Sequence, residues 1–307
     1  MSSYLQKLAA KAEVGKRLCV GVDPDTKKIP EGVSVGDFCL RIVRATVRHA
    51  AVFKVNVAFF EALGESGWPT LKSVIDEIHR LDSEMPIIGD AKRGDIGNTN
   101  RAYVEALFGQ LGFDAVTLHN YLGWKGAGQV FTDCDDRGFY VLCRTTNPGA
   151  PEFQDLPCIL TGDSLISGVE QKIPGQQIVP LYQVVAHKVA TGWNGTGNCG
   201  LVVGATYPEE LAQVRKIAPQ LPFLIPGVGA QGGDLERAVE GAFSTDLPAD
   251  FVVNVSSAVL YAYLSDQFKA DPANFAEAAA RAAEFYSSEI ERIRSAHAAL
   301  VSLGSST

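Results

Sequence analysis

Short apolar runs rich in Val, Ile, Leu and Phe recur along this chain at 18–23, 51–57, 86–91, 115–119, 139–145, 200–203, 222–226 and 249–254. Strands buried on both faces read in this way. The stretches between them, such as PTLKSVIDEIHRL, NTNRAYVEALFGQL and YPEELAQVRKIA, place apolar residues at helical spacing and suit crossover helices. Eight parallel strands alternating with helices close a sheet on itself, so the predicted fold is an α/β (β/α)8 TIM barrel. The rhythm breaks once. Residues 147–198 are too many for a simple crossover and carry Pro, Gly and Gln clusters around QKIPGQQIVP. An insertion therefore follows the fifth strand, part of it a helix near 181–190. Residues 272–297, built on AEAAARAAEFYSSEIERI, form a strong helical pattern, and SLGSST beyond them should fray. No repeat or low-complexity linker marks a boundary. The reading is a single domain over 1–307, with a barrel core at about 16–265 and a C-terminal helical extension at 272–300.

Composition narrows the function. With 307 residues, 46% hydrophobic and 20% charged, the chain can bury a sizeable core. Its net charge of −8 is spread without a long basic run, which argues against nucleic acid as a partner. An anionic substrate would be repelled by the overall field and must be held by local positive groups. The N-terminal residues MSSYLQKLAAKAEVGKR lack the apolar centre of a signal peptide, and no uncharged apolar stretch is long enough to cross a bilayer. The six cysteines stand singly, without zinc-site spacing or disulfide density, and read as buried reduced thiols. A soluble cytoplasmic protein acting on a small molecule, with no membrane partner, is expected.

In a parallel barrel, functional groups gather at the C-terminal ends of strands and in the loops that follow. Asp23 ends the first run, Lys54 and Asn56 lie in the second, and Asp90 and Lys92 close the third. Residues two apart on an extended strand share a side, so Asp90 and Lys92 should both face the barrel axis, with Lys54 joining from the neighbouring strand. Buried charges cost several kcal/mol each unless paired. Charges where Val or Ile would fill a barrel therefore mean either chemistry or an ion pair that only caps the core. A second candidate is IPGVGAQGGDLERA at 225–238, where the seventh run meets a Gly-rich turn and a helix. Backbone N–H groups there, around Pro226, Gln231, Gly232 and Gly233, could cradle a phosphate, although a plain tight loop has the same composition. His119, Trp124, Trp193 and His187 read as packing or loop-anchoring residues. The C-terminal helix, with a mixed polar face, reads as cover for the barrel or for a partner subunit.

The segment GDAKRGDIGNT at 89–99 resembles the signature of the orotidine 5′-phosphate decarboxylases, bacterial-type branch. Lys54 together with Asp90, Lys92, Asp95, Ile96 and Thr99 matches that family's lysine and its D-x-K-x-x-D-I-G-N-T array in order. The resemblance implies conversion of orotidine 5′-phosphate to UMP and CO2, the last step of de novo UMP synthesis, without metal or organic cofactor. It implies that Lys92 donates the proton, that Lys54, Asp90 and Asp95 complete the charged network, and that Asp23 binds the ribose. It further implies that Thr146 contacts the pyrimidine, that Gln231 reaches toward the phosphate, and that Asn56 touches the ligand. Asp95 and Thr99 would reach across the interface of a homodimer into the partner's site. One position departs from the pattern: where the family has an arginine that grips the phosphate, NVSSAVLYA offers Ser257. A serine cannot replace bidentate, charge-assisted bonds, so phosphate affinity should fall unless another Lys or Arg substitutes. Two alternatives stand beside this reading. One is a Mg²⁺-dependent sugar-phosphate decarboxylase with a related array; the other is a catalytically weakened barrel that only binds nucleotide.

Overall fold

The computed structural model describes residues 3–229 and 232–304. Its strands, in chain order, are β1 Leu18–Val22, β2 Val52–Asn56, β3 Ile87–Arg93, β4 Ala115–Leu118, β5 Gly138–Arg144, β6 Pro157–Thr161, β7 Gln176–Pro180, β8 Cys199–Val203, β9 Phe223–Ile225 and β10 Phe251–Val255. Eight of them close a barrel in the order β1-β10-β9-β8-β5-β4-β3-β2, and the pairings around it are parallel. These are the eight apolar runs of the sequence. The fold is a (β/α)8 barrel.

Strand alternation divides the interior into layers. One side chain from each barrel strand, Cys19, Val52, Ile88, Ala115, Tyr140, Val202, Leu224 and Val252, belongs to a buried apolar cluster inside the barrel. Tyr4, Leu8 and Ala12 of the helix Tyr4–Glu13 join that cluster and plug the N-terminal end. The Tyr4 and Tyr140 hydroxyls are 2.9 Å apart, and their rings pack edge to face. A Cβ on Gly138 would lie 2.2 Å from the Tyr4 ring, so the plug needs glycine there. Two residues further along the same strands the inward positions change character. Lys54, Asp90, Thr117 and Asn254 now face in, beside Leu142 and Pro226. The apolar layer thus forms the floor under a polar one at the C-terminal mouth.

A second, larger core lies between the barrel and its surrounding helices. The helix Gly67–Leu81 is typical: Leu71, Val74, Ile75 and Ile78 repeat at helical spacing and are buried. The helix Phe275–Gly304 lays Ala278, Ala279, Ala282, Ala283 and Ile290 on the core and packs against the helices Val35–Thr46 and Leu235–Ala242, covering the barrel as expected. Fraying was expected over 302–307; the helix runs through Gly304, with the Ser302 hydroxyl bonded back to the Ala299 carbonyl, and residues 305–307 lie outside the described residues. Among the described residues no helix is long and apolar enough to cross a membrane.

The insertion after β5 contains the expected helix, Leu181–Lys188, extended by a wider turn to Trp193. It also contains an antiparallel hairpin, β6 with β7, that the sequence reading did not assign. Leu160, Ile166, Val179 and Val184 give this hairpin a small core of its own, while Ile159 and Ile178 face outward. With one face unburied and polar residues interleaved, its strands lack the continuous apolar runs that marked the barrel.

Candidate active site

The β2–β3 register sets Lys54 beside Ile88 and Asn56 beside Asp90, which places the Lys54 and Asp90 side chains in adjacent inward positions. Lys54 is 4% exposed. Its Nζ donates to Asp90 Oδ2 at 3.0 Å and to Asp23 Oδ1 at 3.3 Å. Lys92 Nζ donates to the other Asp90 oxygen, Oδ1, at 2.6 Å. Burial alone would push the Asp90 carboxyl up, but the ammonium groups of Lys54 and Lys92 outweigh it and hold Asp90 well below the usual carboxylate range. Burial likewise disfavours the Lys54 ammonium, and the Asp23 and Asp90 carboxylates outweigh that effect, raising Lys54 above its usual value.

Asp90 and Lys92 do meet, though not by simple strand alternation. The β3–β4 register shifts between Gly89 and Arg93, and Lys92 has φ +46°, the one positive value outside glycine among the described residues. A left-handed conformation at a side-chain-bearing residue costs on the order of 1–3 kcal/mol and persists only where surrounding bonds impose it. Thr117 on β4 supplies them. Its Oγ1 accepts the Lys92 backbone N–H at 2.9 Å and donates to Asp90 Oδ1 at 2.9 Å.

These groups line a cavity of about 650 Å³ at the C-terminal mouth, a size suited to a small organic ligand. Of the residues proposed from sequence, Asp23, Lys54, Asn56, Asp90, Lys92, Thr146, Pro226 and Ser257 line it. Asn56 also caps the helix Val57–Glu61 by accepting from the Ala58 N–H. The structure does not bring Gly232 or Gly233 to the cavity wall. Their N–H groups bond instead to the carbonyls of Gly229 and Gly227, and the following helix begins at Leu235 under the Asp234 side chain. Gln231 lies outside the described residues. Asp95, Ile96 and Thr99 stand beyond β3 and do not line the cavity of their own chain. Buried Asn100 clamps their loop, accepting the Asp95 N–H and donating to the Asp95 and Gly126 carbonyls.

Sequence reasoning missed Thr117, Asn254, Gln154, Lys28 and Tyr261, which also line the cavity. Thr117 and Asn254 carried a legible signal, a lone polar residue at an inward position of an apolar run. Gln154 comes from the insertion and bonds to both the N–H and the hydroxyl of Thr145. Three other conspicuous residues make structural contacts: His119 bonds the Gly94 carbonyl, and Trp124 packs on Trp193. No disulfide joins the six cysteines, four of which are buried and two, Cys134 and Cys158, partly so.

A closed parallel barrel with a Lys–Asp–Lys chain at its C-terminal mouth, Lys54 and Asp90 largely buried and Lys92 half exposed, has the build of a barrel enzyme. The sequence model of the orotidine 5'-phosphate decarboxylase / HUMPS family matches residues 16–266, and the chain belongs to that family. It is 43% identical over 283 residues to an orotidine 5'-phosphate decarboxylase of Thermomicrobium roseum, covering 90% of each chain. It is 39% identical over 289 residues to that of Herpetosiphon aurantiacus, covering 92% of this chain and 96% of the relative. The solved structure of Leishmania donovani OMP decarboxylase superposes with a TM-score of 0.75 at 34% identity, covering 95% of this chain and 98% of that one.

Proposed function

We propose that this chain decarboxylates orotidine 5′-phosphate to UMP and CO2, with Lys92 as the proton donor. The observation that carries the reading is the continuous array Asp23–Lys54–Asp90–Lys92, held at hydrogen-bond distances on the wall of one cavity. When the C6–carboxyl bond breaks, its electron pair stays on C6, where no adjacent carbonyl can spread the charge. The Lys92 ammonium stabilises that charge as it develops and transfers a proton to C6; solvent then reprotonates the amine. A charge already in place needs no reorganisation at the moment of reaction, which makes this kind of help large. Asp90, ionised and anchored by Lys54 and Thr117, orients Lys92. Its charge against the substrate carboxylate is a secondary contribution. Asp23 takes a ribose hydroxyl and Thr146 the pyrimidine in this reading, both from the cavity wall. The phosphate lies at the ends of β9 and β10, near Pro226 and Ser257, where barrels commonly bind phosphate.

Asp95, Ile96 and Thr99 act across a homodimer interface in this reading. Ile96 is 61% exposed and Tyr121 86%, and Ile96 and Leu122 converge over Gly126, an apolar surface suited to burial by a second copy. Loss of orotidine 5′-phosphate absorbance in the presence of EDTA tests the reading. Turnover that EDTA abolishes favours a magnesium-dependent relative; UMP binding without turnover favours a nucleotide-binding barrel, the reading that Ser257 motivates.

A further inference from the structure

We infer that Lys28 supplies the cation for the substrate phosphate that Ser257 cannot. The inference rests on the proposed nucleoside monophosphate substrate. Strands β9, β10 and β1 are consecutive around the barrel, so the loop after β1 borders the phosphate end. Lys28 comes from that loop and lines the same cavity as Pro226, Ser257 and Tyr261. Ser257 and Tyr261 are joined by the Tyr261 N–H to Ser257 carbonyl bond, one helical turn apart, and Lys28 Nζ lies 5.4 Å from the centroid of the Tyr261 ring.

The backbone of this loop is tied to the segment that carries Ser257. Tyr261 Oη accepts the Asp25 N–H at 2.6 Å and donates to the Asp23 carbonyl at 3.1 Å, and Tyr263 Oη donates to the Lys28 carbonyl at 2.7 Å. The Lys28 stem therefore leaves from a fixed point on the wall. Among the described residues that line the cavity, the cations are Lys28, Lys54 and Lys92. Lys54 and Lys92 are committed to Asp90, whereas Lys28, beyond its place over the Tyr261 ring, pairs loosely with Asp25 at 3.8 Å and has a side chain 50% exposed. Arg144 is no substitute: it is 1% exposed, bonded to Asp155 and stacked 3.9 Å from the Tyr207 ring, outside the lining set. Three carboxylates, Asp23, Asp25 and Asp90, balance the three ammonium groups, so without Lys28 a phosphate dianion would enter a cavity of net negative charge in a protein already at −8.

Calorimetric titration of UMP and of uridine into the wild type, Lys28→Ala and Lys28→Arg separates phosphate from nucleoside recognition. Lys28→Ala should weaken UMP about tenfold or more and leave uridine within about twofold, while Lys28→Arg keeps most of the UMP affinity. In a Ser257→Arg background the effect of Lys28→Ala on UMP should shrink to less than about threefold, because the two cations serve one group. Unchanged UMP affinity in Lys28→Ala, or equal losses for UMP and uridine, overturns the inference while leaving the proposed reaction standing. A wild type that binds no UMP overturns both.

Discussion

Thr117 Oγ1 sits 2.9 Å from the backbone nitrogen of Lys92 and accepts its N–H, at the point where β3 leaves its register with β4. The same hydroxyl gives its proton to Asp90, so one side chain fixes both the backbone and the partner of the proposed proton donor. Thr117→Val keeps the shape and removes both bonds. It should cost about 1–2 kcal/mol of stability, since a partly buried N–H loses its acceptor, and lower kcat about ten- to a hundredfold with a smaller change in KM. Thr117→Ser should recover most of the loss. A Val variant with wild-type kcat would show that the Thr117 bonds are incidental.

The Asp90 pair makes stability depend on acid. An unfolded carboxylate takes up a proton near pH 4, whereas folded Asp90, held low by Lys54 and Lys92 against the effect of burial, stays ionised further down. Its contribution is therefore full above about pH 4 and is lost as pH falls through the lowered native value. Lys54, raised by Asp23 and Asp90, has the opposite sign: its contribution is present below about pH 10 and disappears as pH rises through the native value. Urea denaturation of the wild type and Asp90→Asn should give a gap of about 3 kcal/mol at pH 7 that narrows below about pH 4. A gap independent of pH contradicts this assignment.

Ser257 opens the short helix Ser257–Leu260 and faces a cavity with room for a longer side chain. Ser257→Arg should tighten UMP about ten- to a hundredfold through charge-assisted bonds to the phosphate, with uridine unaffected. Equal UMP affinities in the two proteins would mean that the phosphate lies elsewhere or is already fully held.

If Asp95 serves the partner's site, two inactive variants should complement each other. Asp95→Ala and Lys92→Ala, unfolded together and refolded as a mixture, form hybrid dimers with one intact site, and about a quarter of wild-type activity should return. A mixture as inactive as its components would place Asp95 in its own chain's site or outside catalysis.

The barrel was legible because its strands are buried on both faces, which leaves unbroken apolar runs, and because polar residues interrupt those runs only near the mouth. That pattern gave Lys54, Asp90 and Asp23. It could not give the left-handed turn at Lys92, which depends on a hydroxyl contributed by a strand 25 residues away in sequence. Gln154 and Lys28 were hidden for another reason: they stand on loops, where no periodicity marks direction, and only the closed barrel brings them to the cavity. The Gly-rich turn after β9 illustrates the limit of composition. Gly232 and Gly233 turn the chain back on the Gly229 and Gly227 carbonyls, and glycine content alone does not distinguish that from a cradle of free N–H groups.

In the proposed reaction the Lys92 amine carries the chemistry while the rest of the site binds and orients. Decarboxylation of orotidine 5′-phosphate by the wild type and by Lys92→Ala, with UMP affinity measured on the same samples, tests it most directly. The expected result is EDTA-insensitive turnover in the wild type and loss of at least about 10⁴-fold in the variant, with UMP still binding to both. Turnover in Lys92→Ala within about tenfold of wild type would contradict the account.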